Sequence, residues 1–353
     1  MPAASSSGVD AVHGCRAAIV GVAGPTLQAA ERRLLEDADP LGFILFARNC
    51  RAPADLQRLI ADLRAAVGRA DAPVLIDQEG GRVARLCPPH WPARPAARRL
   101  GELAERDPAA GREAAWLQAR LIAADLAALG ITVDCAPVLD LALPGLTPAI
   151  GDRALAADPE LVALLGQAAI DGFLQGGVLP VIKHLPGHGR ARVDSHHGLP
   201  VVDAPRRLLA ATDWRPFAAC RDAPLGMSAH VLYPALDPER PATLSASIIG
   251  EVIRGEIGFQ GALLSDDLSM GALEGPIGQR AAAALAAGCD LALHCNGRLE
   301  EMHEVLDAAG PLSGAPAARV ARALAARQPP APLDPLAAQA RLDTILAPVA
   351  AIA

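Results

Sequence analysis

The sequence predicts an α/β protein built as a single (β/α)8 TIM-type barrel, and three observations lead there. Short apolar, β-branched runs recur along the chain, each followed by an alanine-rich segment of helical spacing. Those runs are continuously apolar instead of alternating, as parallel strands covered on both faces are. Eight of them fit within 353 residues, a length suited to one large barrel. A doubly wound open sheet is the alternative arrangement of the same units.

In order, the strand candidates are Ala17–Gly21, Gly42–Phe46, Pro73–Asp77, Ile131–Val138, Val178–Lys183, Leu225–Ala229, Ala262–Asp266 and Leu291–His294. Helical spacing falls between them, as in Ala54–Val67, Gly111–Leu129, Pro159–Gln175, Pro205–Ala219 and Gln279–Ala287. Ala317–Arg327 and Leu336–Leu346 read as helices on the outside, with Pro329, Pro330 and Pro332 marking the turn between them. Residues 1–14 read as a disordered lead, and residues 15–353 as one catalytic barrel domain with C-terminal helices. There is no second core and no internal repeat.

Composition narrows the function. Hydrophobic residues make up 52% and aromatics only 3%, so the core must be built from Ala, Val, Leu and Ile. Net charge is −7 with scattered arginines, which argues against nucleic acid as a partner. No apolar run approaches a membrane span. Seven cysteines form no CxxC pair, a scatter that fits a reducing compartment better than a disulfide framework. The N-terminus lacks a basic segment, and the apolar run Ala17–Ala23 is too short and too late for a signal peptide. A cytoplasmic protein without an obligatory protein partner is the expectation.

Polar residues gather at the predicted strand ends, where a barrel places its chemistry. They are Asp77-Gln78-Glu79, Asp140, Lys183-His184, His230 and Ser265-Asp266-Asp267. Lys183 is the only lysine among 32 basic residues. A chain that otherwise uses arginine, yet keeps one lysine between an apolar strand and a polar loop, needs a compact ammonium there. Asp266 ends an apolar strand and could serve as nucleophile, general base or metal ligand. Asp267 beside it should point to the other side and cap the following turn. Asp194 and His196, two apart in an extended glycine-flanked loop, share a face, so the carboxylate can orient the ring for acid–base work. The preceding Pro186-Gly187-His188-Gly189 reads as a hinge for that loop. His184, His188, His196, His197 and His230 invite a metal reading, but the first strand supplies no ligand to anchor it. No strand–helix G-x-G-x-x-G and no G-x-x-x-x-G-K-[ST] is present, so no cofactor is indicated.

Five motifs occur in order: Asp77-Gln78-Glu79-Gly80-Gly81-Arg82-Val83-x-Arg85, Ile150-Gly151-Asp152-Arg153, Lys183-His184-x-Pro186-Gly187-His188-Gly189, Asp194-Ser195-His196 and Ser265-Asp266-Asp267-Leu268-Ser269-Met270. Together they closely resemble the β-N-acetylglucosaminidases of glycoside hydrolase family 3, of the NagZ type. The resemblance runs from about residue 17 to near residue 300. It implies Asp266 as nucleophile, His196 as acid/base with Asp194 as its orienting partner, and Asp77, Arg85, Arg153, Lys183 and His184 as residues that hold the sugar. It also implies N-acetylglucosaminyl-anhydromuramyl peptides of cell-wall recycling as substrates. Two departures stand out: Leu185 replaces the usual phenylalanine, and Ala154-Leu155-Ala156 replaces an aromatic-plus-glycine segment. No catalytic position is lost.

The residues fit that chemistry independently. A retaining glycosidase needs one carboxylate to attack the anomeric carbon and one group to protonate the leaving oxygen. A His–Asp pair takes the second role here, and histidine as a residue type titrates near neutral pH, which suits a cytoplasmic enzyme. A phosphorylase using the same site is the alternative enzyme, since histidine repels an incoming anion less than a carboxylate would. A non-catalytic sugar-binding barrel is the alternative from another class, and intact Asp266 and His196 weigh against it.

Overall fold

The computed structural model describes residues 12–196 and 198–347. Eight parallel strands close into a barrel in sequence order, β1 pairing with β8. They are β1 (Arg16–Gly21), β2 (Pro40–Leu45), β3 (Val74–Ile76), β4 (Val133–Asp134), β5 (Leu179–Leu185), β6 (Leu225–Ser228), β7 (Ala262–Asp267) and β8 (Leu291–His294). Every residue of β2 to β6 and of β8 is buried. That burial on both faces is why the strands read as unbroken apolar runs and not as alternating ones.

The helices covering the barrel are α1 (Ala29–Ala38), α2 (Pro53–Ala66), α3 (Ala97–Ala104), α4 (Pro108–Leu129), α5 (Pro159–Gln175), α6 (Arg206–Ala211), α7 (Arg215–Ala219), α8 (Ile277–Ala287), α9 (Leu299–Ala309), α10 (Gly314–Ala325) and α11 (Pro335–Leu346). The longest, α4, starts where Asp107 accepts the N–H groups of Ala109 and Ala110, with Pro108 in the first turn. It stops at Gly130, whose φ of +85° suits glycine.

Four expectations change. The strand expected over Ile131–Val138 is regular only at Val133–Asp134, because Pro137 has no N–H to give a ladder. The helix expected over Pro205–Ala219 is two, α6 and α7, and Pro216 cannot donate back to the carbonyl of Thr212. Between β6 and β7 the chain forms a π-helix, Ile248–Glu256, where no helix was expected. Of the expected lead, residues 1–11 lie outside the described residues. Val12 is buried and Gly14 donates to the Leu312 carbonyl at 3.2 Å, so the packed body already includes residues 12–14.

Two register irregularities matter for the site. From Ile182 to Leu185, β5 advances three residues while its neighbour advances two, Gly226 to Ser228. From Leu264 to Asp267, β7 does the same against Leu291 to Leu293. Each extra residue is a bulge, and a bulge re-aims the side chains around it. The two bulges contain Lys183-His184 and Ser265-Asp266.

Candidate active site

At the C-terminal mouth of the barrel lies a cavity of about 330 Å³. All eight residues singled out in the sequence line it: Asp77, Arg85, Arg153, Lys183, His184, Asp194, His196 and Asp266. They arrive from the ends of β3, β5 and β7 and from the loops after β3, β4 and β5, so residues up to 189 positions apart meet in one place.

Its floor is an ion network. Lys183 Nζ sits 2.9 Å from Asp77 Oδ1 and 2.6 Å from Glu79 Oε1, with 2% of its side chain exposed. Arg153 grips Glu79 in a fork, Nε to Oε2 and Nη2 to Oε1, both at 2.8 Å. Arg85 Nη2 reaches Asp77 Oδ2 at 3.2 Å. Burial opposes ionisation of both carboxyls, yet Lys183 with Arg85 or Arg153 outweighs it. Asp77 falls well below the usual carboxylate range and Glu79 falls to about 2. Burial likewise disfavours the ammonium, but Asp77 and Glu79 push Lys183 above its ordinary value. The lysine is therefore a permanent cation. Glu79 was passed over in assigning roles, although it lies inside the Asp77–Arg82 motif.

Beside this network, Asp266 accepts the N–H of Asp267 at 2.8 Å. Burial would raise its carboxyl, but the imidazoles of His184 and His230 hold it below the usual range, so it is an anion at neutral pH. Asp267, as expected, is spent on the turn: Oδ1 accepts from the N–H groups of Ser269 and Cys295, and Oδ2 accepts the Ser269 hydroxyl at 2.6 Å. His184 Nδ1 lies 2.6 Å from Asp140 Oδ2, and the same carboxylate accepts the His188 N–H at 2.6 Å. Asp140 is thus the anchor of the loop after β5. Its place at a strand end was visible in the sequence, though its partner was not.

His184 and His188 share Asp140, and the other described histidines of the cluster turn to different partners. His230 Nε2 donates to the Asp267 carbonyl at 3.0 Å and Nδ1 contacts Thr243, while His196 pairs with Asp194. His197 lies outside the described residues. Among the described residues no three His, Cys, Asp or Glu side chains are grouped to hold a metal ion.

Asp194 Oδ1 accepts the His196 N–H at 2.9 Å and lies 2.8 Å from its Nδ1, the contact expected of an i, i+2 pair. The imidazole is 65% exposed and borders the cavity. Upstream, only one of the two glycines behaves as a conformational device. Gly187 has φ +132°, whereas a Cβ at Gly189 would meet the Leu141 carbonyl at 2.4 Å and its nitrogen at 2.7 Å. The expected hinge at Gly189 is instead a point of close backbone packing. Of the departures, Leu185 is fully buried, and Leu155 lines an apolar cavity of about 50 Å³ behind Glu79 and Arg153.

The profile of the "Glycosyl hydrolase family 3 N terminal domain" matches residues 13–325. A β-hexosaminidase of Bordetella avium is 41% identical over 284 residues, covering 79% of this chain and 80% of that protein. One from Aromatoleum aromaticum is 40% identical over 324 residues, 90% and 89% of the two. Among solved structures, NagZ from Neisseria gonorrhoeae in complex with N-trifluoroacetyl-D-glucosamine is 31% identical with a TM-score of 0.79, covering 95% of this chain and 99% of that one. A family 3 β-N-acetylglucosaminidase from Paenibacillus is 33% identical with a TM-score of 0.77; this chain is covered completely but spans 65% of that protein. The fold, the matched span and these identities make this chain a member of glycosyl hydrolase family 3, and a glycosidase.

Proposed function

We propose that this chain removes terminal β-N-acetylglucosamine by a retaining route, acting on N-acetylglucosaminyl-anhydromuramyl peptides in cytoplasmic peptidoglycan recycling. One observation carries the reading: an ionised carboxylate, Asp266, bonded to a backbone N–H, shares its cavity with an exposed His196–Asp194 pair. Asp266 attacks the anomeric carbon as the bond to the leaving oxygen breaks. His196, protonated at the start, gives that oxygen its proton. In the second half, His196 takes a proton from water, the hydroxyl attacks the anomeric carbon, and Asp266 departs as a carboxylate. Asp77, Arg85, Arg153, Lys183 and His184 bind the sugar hydroxyls, and Asp194 keeps the imidazole oriented.

The test combines trapping with product analysis. A fluorinated slow substrate is expected to leave a sugar-sized adduct on the peptide Gly261–Met270, at Asp266. A muropeptide is expected to release free N-acetylglucosamine whether or not phosphate is present. An adduct elsewhere moves the nucleophile, and a sugar 1-phosphate formed with phosphate makes the enzyme a phosphorylase.

A further inference from the structure

Glu79 lies behind the sugar pocket and not in it. Only 5% of its side chain is exposed, and it borders the apolar cavity between the barrel and helices α3 to α5, while Asp77, Arg153 and Lys183 border the sugar cavity. Yet it touches both of the deepest cations. One oxygen receives Lys183 Nζ at 2.6 Å and Arg153 Nη2 at 2.8 Å; the other receives Arg153 Nε at 2.8 Å.

A fork of this kind fixes the plane of a guanidinium, not only its position. It also fixes which N–H groups are left over. Of the three donors of the ammonium, Asp77 and Glu79 engage two, on a side chain that borders the sugar cavity. Asp77 cannot do this work alone. It already holds Arg85 and itself faces the cavity, and Glu79 is the one carboxylate paired with Arg153 among the described residues. The other ionisable groups facing Lys183 give little compensation. Asp134 on β4 and the following Cys135 are both raised by burial, which disfavours their charged forms, and Asp266 on β7 is engaged with His184 and His230.

We infer that Glu79 is a positioning residue of the sugar site: it sets the spacing and orientation of Lys183 and Arg153 without touching the substrate. The role rests on those two cations holding sugar hydroxyls, as proposed above.

Glu79→Gln keeps the shape and removes the charge. With a nitrophenyl N-acetylglucosaminide as substrate and N-acetylglucosamine as competitor, KM and Ki are expected to rise about 10- to 100-fold while kcat changes less than about threefold. Glu79→Asp, with the charge on a shorter arm, is expected to recover part of the affinity. It also carries the measurement if the glutamine variant does not fold. A second readout is specific to positioning a cation. Without Glu79, Lys183 loses part of the push that keeps it protonated, so N-acetylglucosamine affinity in Glu79→Gln is expected to fall at a lower alkaline pH than in the parent. A residue serving only as packing would lower the melting temperature and leave KM and its pH profile unchanged in the folded fraction. That result overturns the inference, as does a loss confined to kcat. Lys183→Arg and Arg153→Lys separate the two levels. If they raise KM and Glu79→Gln does not, the inference alone fails; if none of the three raises KM, the sugar-holding reading fails with it.

Discussion

His196 and Asp194 bond each other at 2.8 Å with the imidazole largely open to solvent, a placement suited to a group that meets the leaving half of the substrate. A general acid matters only as far as the leaving oxygen needs a proton. His196→Ala should therefore slow hydrolysis of a sugar aglycone by about 10²–10⁴-fold, yet cost far less in the first step for a dinitrophenyl glycoside. The activated substrate should show a burst and then slow turnover, measured by stopped flow, because the same histidine serves the second step. Equal losses in both first steps would make it a binding residue. At this scale the site was readable because its chemistry is concentrated: one lysine, a D-x-H pair, and a carboxylate after an apolar run. Glu79 and Asp140 escaped assignment because they act on other side chains, and sequence spacing does not reveal what a carboxylate is bonded to 44 or 104 positions away.

Among the elements, the loop after β5 shows how backbone packing and acid–base chemistry are joined. Gly189 lies against the backbone of Leu141, and Asp140 next to it binds the N–H of His188, so the β4 and β5 loops are clamped just before the Asp194–His196 segment. Gly189→Ala must displace one of those backbones. It should lower kcat/KM for the sugar aglycone by an order of magnitude or more while leaving the fold intact, checked by circular dichroism and by kinetics side by side. An active, unshifted alanine variant would show that the clamp gives way freely. The strands and the capped helices were legible because continuous burial and Asp-Pro starts leave direct marks. The short β4, the split α6–α7 pair and the π-helix at Ile248–Glu256 were not, because proline chemistry and tertiary packing override local spacing there.

Over the whole molecule, the buried titratable groups set a pH dependence whose sign can be worked out. Burial drives His188 down to about 4 and also lowers His230, so both are neutral in the fold but take up protons in the unfolded chain below about pH 6.5. Asp77, Glu79, Asp140 and Asp266 are depressed as well, which contributes stability above about pH 4.5 that is lost as pH falls through their folded values. Asp134 works in the opposite direction, being raised by burial, but it stands against these six and His294, which burial also lowers. Unfolding free energies from urea titrations should therefore fall from pH 7 to pH 5 and fall further by pH 3, by about a few kcal/mol in all. A midpoint that rises on acidification would reverse the sign assigned to the network. None of this was visible in a net charge of −7, since the shifts depend on which charges the barrel encloses and not on how many there are.

The solitary lysine has one more consequence. Lys183 is paired with two carboxylates, 2% exposed and held protonated, so its nitrogen has no lone pair to offer an electrophile. Every other basic side chain is arginine. The folded protein therefore offers no reactive side-chain amine to acylating metabolites, aldehyde cross-linkers or activated-ester dyes. Treated with such an ester, the native protein should carry no label on Lys183 and keep full activity, as peptide mapping would show; that lysine should become labelled only when the chain unfolds.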